Sequence, residues 1–412
     1  MTQNPDVSTE GRSAADAKGD TPRPMTIIGD LRMRARSGEL GVLPIVIGLM
    51  LIWAYFQIQD QHFLTPRNLS NLILQISVSG TIAIGVVLVL LLGEIDLSFG
   101  SIAGATAAVL GVLLVNYDFP WWAGVLTMLA VGTAIGTLQG VWIAVMRVPS
   151  FVVTLAGLLI WLGVQLHVLG NAGTLNVFDP HITAIASTFL PAAWGWAFAA
   201  IAVAGYVGTH LVEDTQRRRA RMPAQSLSLL ILRSLILAIL LFGAVAVLNR
   251  AYGVPTAGVL LFVLFAGFDW MARRTRFGRH IYAVGGHVEA ARRAGINVAR
   301  IRICVFALSG LLAAVGGLIL TSRLQAASTQ SGGGTLLLEA IAAAVIGGTS
   351  LFGGRGNVWG ALVGALVIGS VSSGLDLVGQ PADVKYMIEG AILLLAVTVD
   401  AYSRRRIAVA GR

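Results

Sequence analysis

Residues 90–101 read LLLGEIDLSFGS, and inside them Glu94 and Asp96 stand one residue apart at the end of a long apolar run. An Asp at the centre of a membrane-spanning helix costs about 2.5–3.5 kcal/mol, so two carboxylates in so oily a stretch need a structural reason. Positions i and i+2 point in nearly opposite directions on a helix and to the same side of an extended chain. The spacing therefore predicts a break in the helix, with Gly93 and Gly100 at its ends.

The chain around this break is 56% hydrophobic and only 12% charged, with mean hydropathy +0.79. An ordinary soluble domain carries about 25% charged residues, so the composition indicates an integral membrane protein. Apolar runs near or above spanning length lie at about 41–58, 71–92, 101–115, 120–146, 151–170, 194–212, 229–248, 254–271, 303–321, 336–350, 357–375 and 384–400. The expected fold is all-α and polytopic, with about 10–12 transmembrane helices; the runs 101–115 and 336–350 are short and rich in small residues.

Basic residues sit between these runs: Arg32, Arg34 and Arg36, Arg217 to Arg219 with Arg221, the group from Arg273 to Arg302, and Arg404 to Arg406. The positive-inside rule places them in the cytoplasm, and with them both termini. Residues 1–40 read as a disordered cytoplasmic tail and 403–412 as a second tail, flanking a membrane domain over 41–402. The loops 116–119 and 171–193 lack Lys and Arg and are bordered by Trp121, Trp122, Trp194 and Trp196, as suits the outer interface. The net charge of +9 is thus topogenic and does not indicate nucleic acid.

An internal echo strengthens the reading of the break. GEIDLSFGSIAGA (93–105) and GGTSLFGGRGNVWGA (347–361) each leave an apolar run, cross a Gly-rich polar interruption and restart through small residues. Ser101 and Asn357 are the expected helix N-caps. Unwound backbone is tolerated in a membrane only where protein or water satisfies it, so paired breaks point to a translocation path or its gate. The candidate residues are Glu94, Asp96, Ser98 and Ser101 in the first break and Gly348, Thr349 and Ser350 in the second. The plainer reading is two glycine turns at the solvated cytoplasmic end, where simple counting of spans puts both; one re-entrant segment would change that.

The longest basic interval, 272–302, contains HVEAARRAG (287–295), a short helical pattern after Gly285-Gly286 that ends at Gly295 with Arg292 and Arg293 in its last turn. Ala290, Ala291 and Ala294 are small enough to seat in a partner's groove. Other chemistry is missing from the sequence. No G-x-x-x-x-G-K-[ST] occurs, and the only lysines are Lys18 and Lys385, so the chain does not bind ATP through a P-loop and any nucleotide engine is a partner. The six histidines form no H-E-x-x-H pair and no nucleophilic arrangement stands out, so no catalytic or metal site is expected; the single Cys304 can form no intrachain disulfide.

LTPRNLSNLILQ, GEIDLSFGS, RVPSFVVTLAGLL, YGVPT, RFGRHIYAVGGHVEAARRAGINV, AAAVIGGTSLFGG and EGAILLLAVTVD together resemble the permease subunits of bacterial ATP-binding-cassette sugar importers. The resemblance runs from about residue 40 to 402, lies in the ribose and xylose branch, and is nearer the xylose type because of the basic insertion around 213–228. It implies a pair of permeases in the inner membrane, two cytoplasmic ATPases that use ATP and Mg, and a periplasmic sugar-binding protein, with no cofactor on this chain. It also implies that Gly286, Glu289, Ala290, Ala291 and Gly295 form the loop that couples to the ATPase. His287, Glu389 and Arg355 depart from the family pattern. The competing expectation is an ion-coupled secondary transporter with Glu94 and Asp96 as its relay.

Overall fold

The computed structural model describes residues 43–220 and 227–410; the tail expected over 1–40 and part of the basic insertion lie outside them. Thr65 opens the second helix by accepting the N–H of Asn68, with Pro66 in its first turn, and Asp179 does the same for a short helix begun by Pro180. These are the caps that free first-turn N–H groups demand.

The helices are α1 (Leu43–Gln59), α2 (Pro66–Leu91), α3 (Phe99–Val115), α4 (Trp121–Ala144), α5 (Ser150–Leu169), α6 (Pro180–Ser187), α7 (Ala192–Arg219) and α8 (Leu227–Leu248). They continue with α9 (Thr256–Arg274), α10 (Arg276–Gly286), α11 (Val288–Arg293), α12 (Val298–Leu324), α13 (Leu336–Ile346), α14 (Val358–Leu377) and α15 (Ala382–Ala410). Each of the twelve apolar runs contributes one of these helices. Among the described residues eight are long and apolar enough to cross a membrane, and three shorter apolar helices, α1, α3 and α13, accompany them. The protein is an all-α polytopic membrane protein.

Burial sorts the spans into centre and margin: α2 and α14 are 83% and 78% buried, whereas α7 and α8 are only 11% and 6% buried and pair with each other. The α4–α12 contact shows how the interior is packed. Gly132, Gly136 and Gly140 recur at four-residue spacing, and a Cβ at Gly136 would stand 2.1 Å from the Phe306 carbonyl oxygen. Small residues at this spacing let two backbones touch where lipid offers no hydrophobic drive for association.

Two features differ from the sequence-based expectations in extent. The interval 272–302 is narrower and more ordered than a loop: α9 continues to Arg274, α12 starts at Val298, and α10 and α11 fill the space between. The expected tail over 403–412 is helical through Ala410, as the last helix carries on past its apolar run. The end of the bundle that carries 275–297, called here the basic end, also carries the turns 92–98, 145–149 and 347–357. At the opposite end β1 (Thr174–Asn176) pairs antiparallel with β4 (Ala326–Ser328), and β2 (Phe189–Leu190) with β3 (Val254–Pro255). These two short ladders close the connections there.

Candidate functional site: two breaks and the linker between them

The first break begins as a helix ending. Gly93 adopts φ +77, its N–H donates to the Leu90 carbonyl, and the Glu94 N–H donates to the Val89 carbonyl, the paired bonds of a Schellman closure. Residues 94–98 then run without regular structure until α3 starts at Phe99, as the carboxylate spacing required.

This extended segment turns back into the bundle. The Ile95 N–H donates to Ser150 Oγ (3.1 Å), and Thr154 Oγ1 donates to the Ile95 carbonyl (3.3 Å). Asp96, 4% exposed, accepts the Ser98 N–H (2.8 Å), the Ser98 hydroxyl (2.6 Å) and the Ser309 hydroxyl (3.3 Å). Gln139 Nε2 donates to Ser98 Oγ (3.0 Å). Gln139 lies five residues before the end of α4 and Ser309 eleven after the start of α12, or roughly 8 Å and 16 Å into the bundle at 1.5 Å per residue. Asp96 therefore sits inside the helix bundle, away from the solvated surface that counting of spans predicts. Glu94 stays at the rim, where it pairs with Arg302 at 2.7 Å. Ser101 is a correction: it lies one turn inside α3 and donates to the Ser98 carbonyl (2.9 Å), while Ser98 occupies the N-cap position.

The second break opens in the same way. Gly348, at φ +87, donates to the Val345 carbonyl and Thr349 donates to the Ala344 carbonyl, closing α13. Thr349 is wholly buried, and its hydroxyl has no hydrogen-bond partner. The Ser350 N–H donates to the Arg355 carbonyl and Ser350 Oγ accepts from the Phe352 N–H, folding 350–355 into a compact turn. Asn357 is the N-cap of α14 as expected, accepting the Trp359 N–H at 3.0 Å.

The two breaks meet each other and the linker through bare backbone. The Gly354 N–H donates to the Leu91 carbonyl (3.0 Å), and a Cβ on Gly353 would lie 2.8 Å from the Gly93 nitrogen. A Cβ on Gly285 would lie 1.7 Å from the Leu91 oxygen and 2.8 Å from the Gly354 nitrogen. No side chain fits at Gly285. Two side chains reinforce the contact. Tyr282 donates its hydroxyl to the Gly356 carbonyl (3.0 Å), and Arg273 donates to Asn357 Oδ1 (2.7 Å). Burial pushes the Tyr282 phenol above its usual range, which keeps it protonated as a donor.

The linker's second helix, α11, is closed at both ends. His287 Nδ1 accepts the Ala290 N–H at 3.2 Å, so this departure from the family pattern still supplies an N-cap acceptor. Gly295, at φ +82, donates to the Arg292 carbonyl, and Ile296 donates to the Ala291 carbonyl. Gly286, Glu289, Ala290, Ala294 and Gly295 are exposed. Ala291 corrects the expectation of a docking face: it is 4% exposed and packs into the chain's own core, because i and i+1 on so short a helix cannot face the same way.

Several partners of the breaks escaped the sequence reading, among them Gln139, Ser309 and Arg302. Gln139 and Ser309 are isolated polar residues in apolar runs, where the only signal was the cost of burying such a group without a partner, and Arg302 read as one of a topogenic basic group.

Comparison with known proteins decides the class. The family model for the permease component of branched-chain amino acid transport systems matches residues 68–397. The chain belongs to this permease family. The permease is 39% identical to the xylose transport system permease protein XylH of Escherichia coli strain K12 over 372 residues, covering 90% of this chain and 94% of that protein. It is 37% identical to XylH of Haemophilus influenzae over 374 residues (90% and 99%), and 34% identical to the ribose import permease protein RbsC of Escherichia coli K12 over 355 residues (86% and 92%). No solved structure matches it. The permease is accordingly a transport component.

Proposed function

We propose that the chain is the membrane-spanning subunit of an ATP-driven sugar importer and carries xylose or a related pentose across the inner membrane. The observation that carries this reading is 39% identity to a xylose permease along nine-tenths of the chain, above the 34% to a ribose permease. The family's general name refers to branched-chain amino acids, but the similar full-length relatives named above are sugar permeases.

In this reading two copies of the chain form the path, ATP-binding subunits dock at the exposed face of α11, and a periplasmic protein delivers the sugar. The basic end faces the cytoplasm, with both termini. ATP and Mg are used by the partner subunits. Closure of those subunits displaces α11, and the backbone contacts of Gly285 with Leu91 and Gly354 carry the displacement to both breaks. A ligand shifts such an equilibrium only through its different affinity for the two states, so this chain needs no tight sugar site of its own.

The test is reconstitution of the full chain in vesicles with its ATP-binding and sugar-binding partners. Xylose uptake that requires ATP and survives ionophores is expected, while uptake of leucine in place of sugar, or uptake abolished by ionophores with ATP present, overturns the reading. Glu289→Lys reverses an exposed charge on α11 and is expected to lower ATPase association and uptake together. Unchanged ATPase capture by that variant removes the docking role from α11.

A further inference from the structure

The turn 145–149 and the segment 292–302 enclose a cleft of about 630 Å³ at the basic end. Its wall carries Arg147, Arg292 and Arg302 against a single carboxylate, Glu94. Glu94 is engaged by Arg302 (2.7 Å), and Arg292 pairs with Glu289 (2.9 Å), which is not part of the wall. Among the described residues no carboxylate pairs with Arg147. Arg147 is held at φ +58, a left-handed backbone that a non-glycine residue keeps only where its surroundings hold it. Arg302 Nε is buried without a hydrogen-bond partner. The first residues of α5 and α12, Ser150, Val298 and Ala299, also line the cleft, so two helix N-termini add their positive ends to it.

Charge and shape together call for an anion, and the rim says which kind. Trp142, Val145, Met146 and Phe151 are exposed in the same turns that carry Ile143, Ala144, Arg147 and Ser150 into the wall. An apolar margin with a tryptophan at the end of a span is the setting of a membrane interface. We propose that the cleft holds the phosphate headgroup of an anionic phospholipid, with Arg147 and Arg302 on the phosphate and the acyl chains along Trp142, Met146 and Phe151. The site adjoins Arg292, Ile296 and Asn297, so its occupancy bears directly on the end of α11. It holds whatever the cargo is.

The experiment places the full-length permease in nanodiscs of phosphatidylcholine with and without phosphatidylglycerol, and reads retained lipid by native mass spectrometry and the melting temperature. Phosphatidylglycerol is expected to stay bound and raise the melting temperature. Arg147→Ala is expected to cut retention about fivefold, equivalent to the ~1 kcal/mol of one basic residue at an anionic surface, and Arg147→Lys to restore most of it. Arg147 is exposed, and melting temperatures of the variants equal to wild type in phosphatidylcholine alone check that they keep their fold. Equal retention by wild type and Arg147→Ala overturns the proposal. So does a melting shift reproduced by inorganic phosphate alone without retained lipid, which assigns the cleft to free phosphate. Loss of ATPase capture by Arg147→Ala with lipid retention unchanged assigns it to a protein contact, and likewise overturns it.

Discussion

The two breaks start alike and end differently. Each follows a left-handed glycine, Gly93 or Gly348, that closes the preceding helix with the same pair of backbone bonds. The first then plunges into the bundle and is fastened by side chains from three helices: Ser150 and Thr154 of α5, Gln139 of α4 and Ser309 of α12. The second folds on itself at the basic end, leaves the Thr349 hydroxyl unpartnered, and is held to α10 through backbone and Tyr282 and to α9 through Arg273. Similar sequence signals thus produced one break fastened inside the bundle and one folded at its end.

The contact common to both breaks is the most sensitive point. Gly285→Val sets a branched side chain against the Leu91 oxygen, where even a Cβ would lie at 1.7 Å. Overpacking of this kind costs about 1–3 kcal/mol or more, and here the obstruction is backbone that no rotamer relieves. The expected outcome is a melting temperature lowered by several degrees in detergent and uptake abolished. A variant that melts and transports like the wild type shows that the breaks and the linker do not touch in the working protein.

Asp96 tests the break fastened inside the bundle. Asp96→Ala removes the acceptor for one N–H and two hydroxyls at a buried site; Ser98 Oγ keeps Gln139 Oε1 as acceptor, and each group left orphaned costs about 1–3 kcal/mol. Asp96→Asn keeps one acceptor oxygen and is expected to lose less stability. If the carboxylate is a fastener, uptake by the two variants follows their melting temperatures. If its charge meets the cargo, Asn loses uptake as fully as Ala while melting close to the wild type.

Much of this is legible in the sequence. The i, i+2 acids forced an extended segment because helix geometry forbids their sharing a face, and Asn357 and Gly295 were recognisable as a cap and a closure because few residues suit those backbone positions. The direction of the first break was not readable. That depends on Gln139 and Ser309, and nothing local ties a lone Gln on α4 to a Ser 170 residues later on α12. Ser101 looked like the cap because it follows a glycine, whereas tertiary contacts to Ser98 started α3 three residues earlier. The inward turn of Ala291 was hidden for a similar reason: a run of alanines has no periodicity to show which one faces the core.

Glu94→Gln probes the rim, where the two regions of the first break divide. It leaves the mostly buried Arg302 without its counter-charge, at a cost between the ~1 kcal/mol of an exposed pair and the ~3 kcal/mol of a buried one. The melting temperature should fall less than for Asp96→Ala. A larger fall would move the fastening of this break from its buried acid to its rim.

The smallest expected change in stability carries the sharpest test of transmission. Tyr282→Phe deletes one hydroxyl and with it the bond to the Gly356 carbonyl, leaving the ring and the glycine contacts in place. A single neutral hydrogen bond contributes about 0.5–1.5 kcal/mol net, so the melting temperature should barely move. If the second break follows the linker partly through this bond, ATP hydrolysis by the assembled complex persists while sugar moved per ATP falls. A structural bond alone would lower both together, in proportion to protein lost. Arg273→Ala, which frees Asn357 from the neighbouring helix, should reproduce the same imbalance by an independent contact. Tight coupling retained in both variants would leave the glycine backbone as the whole connection, and the second break would then be as rigidly seated as the first.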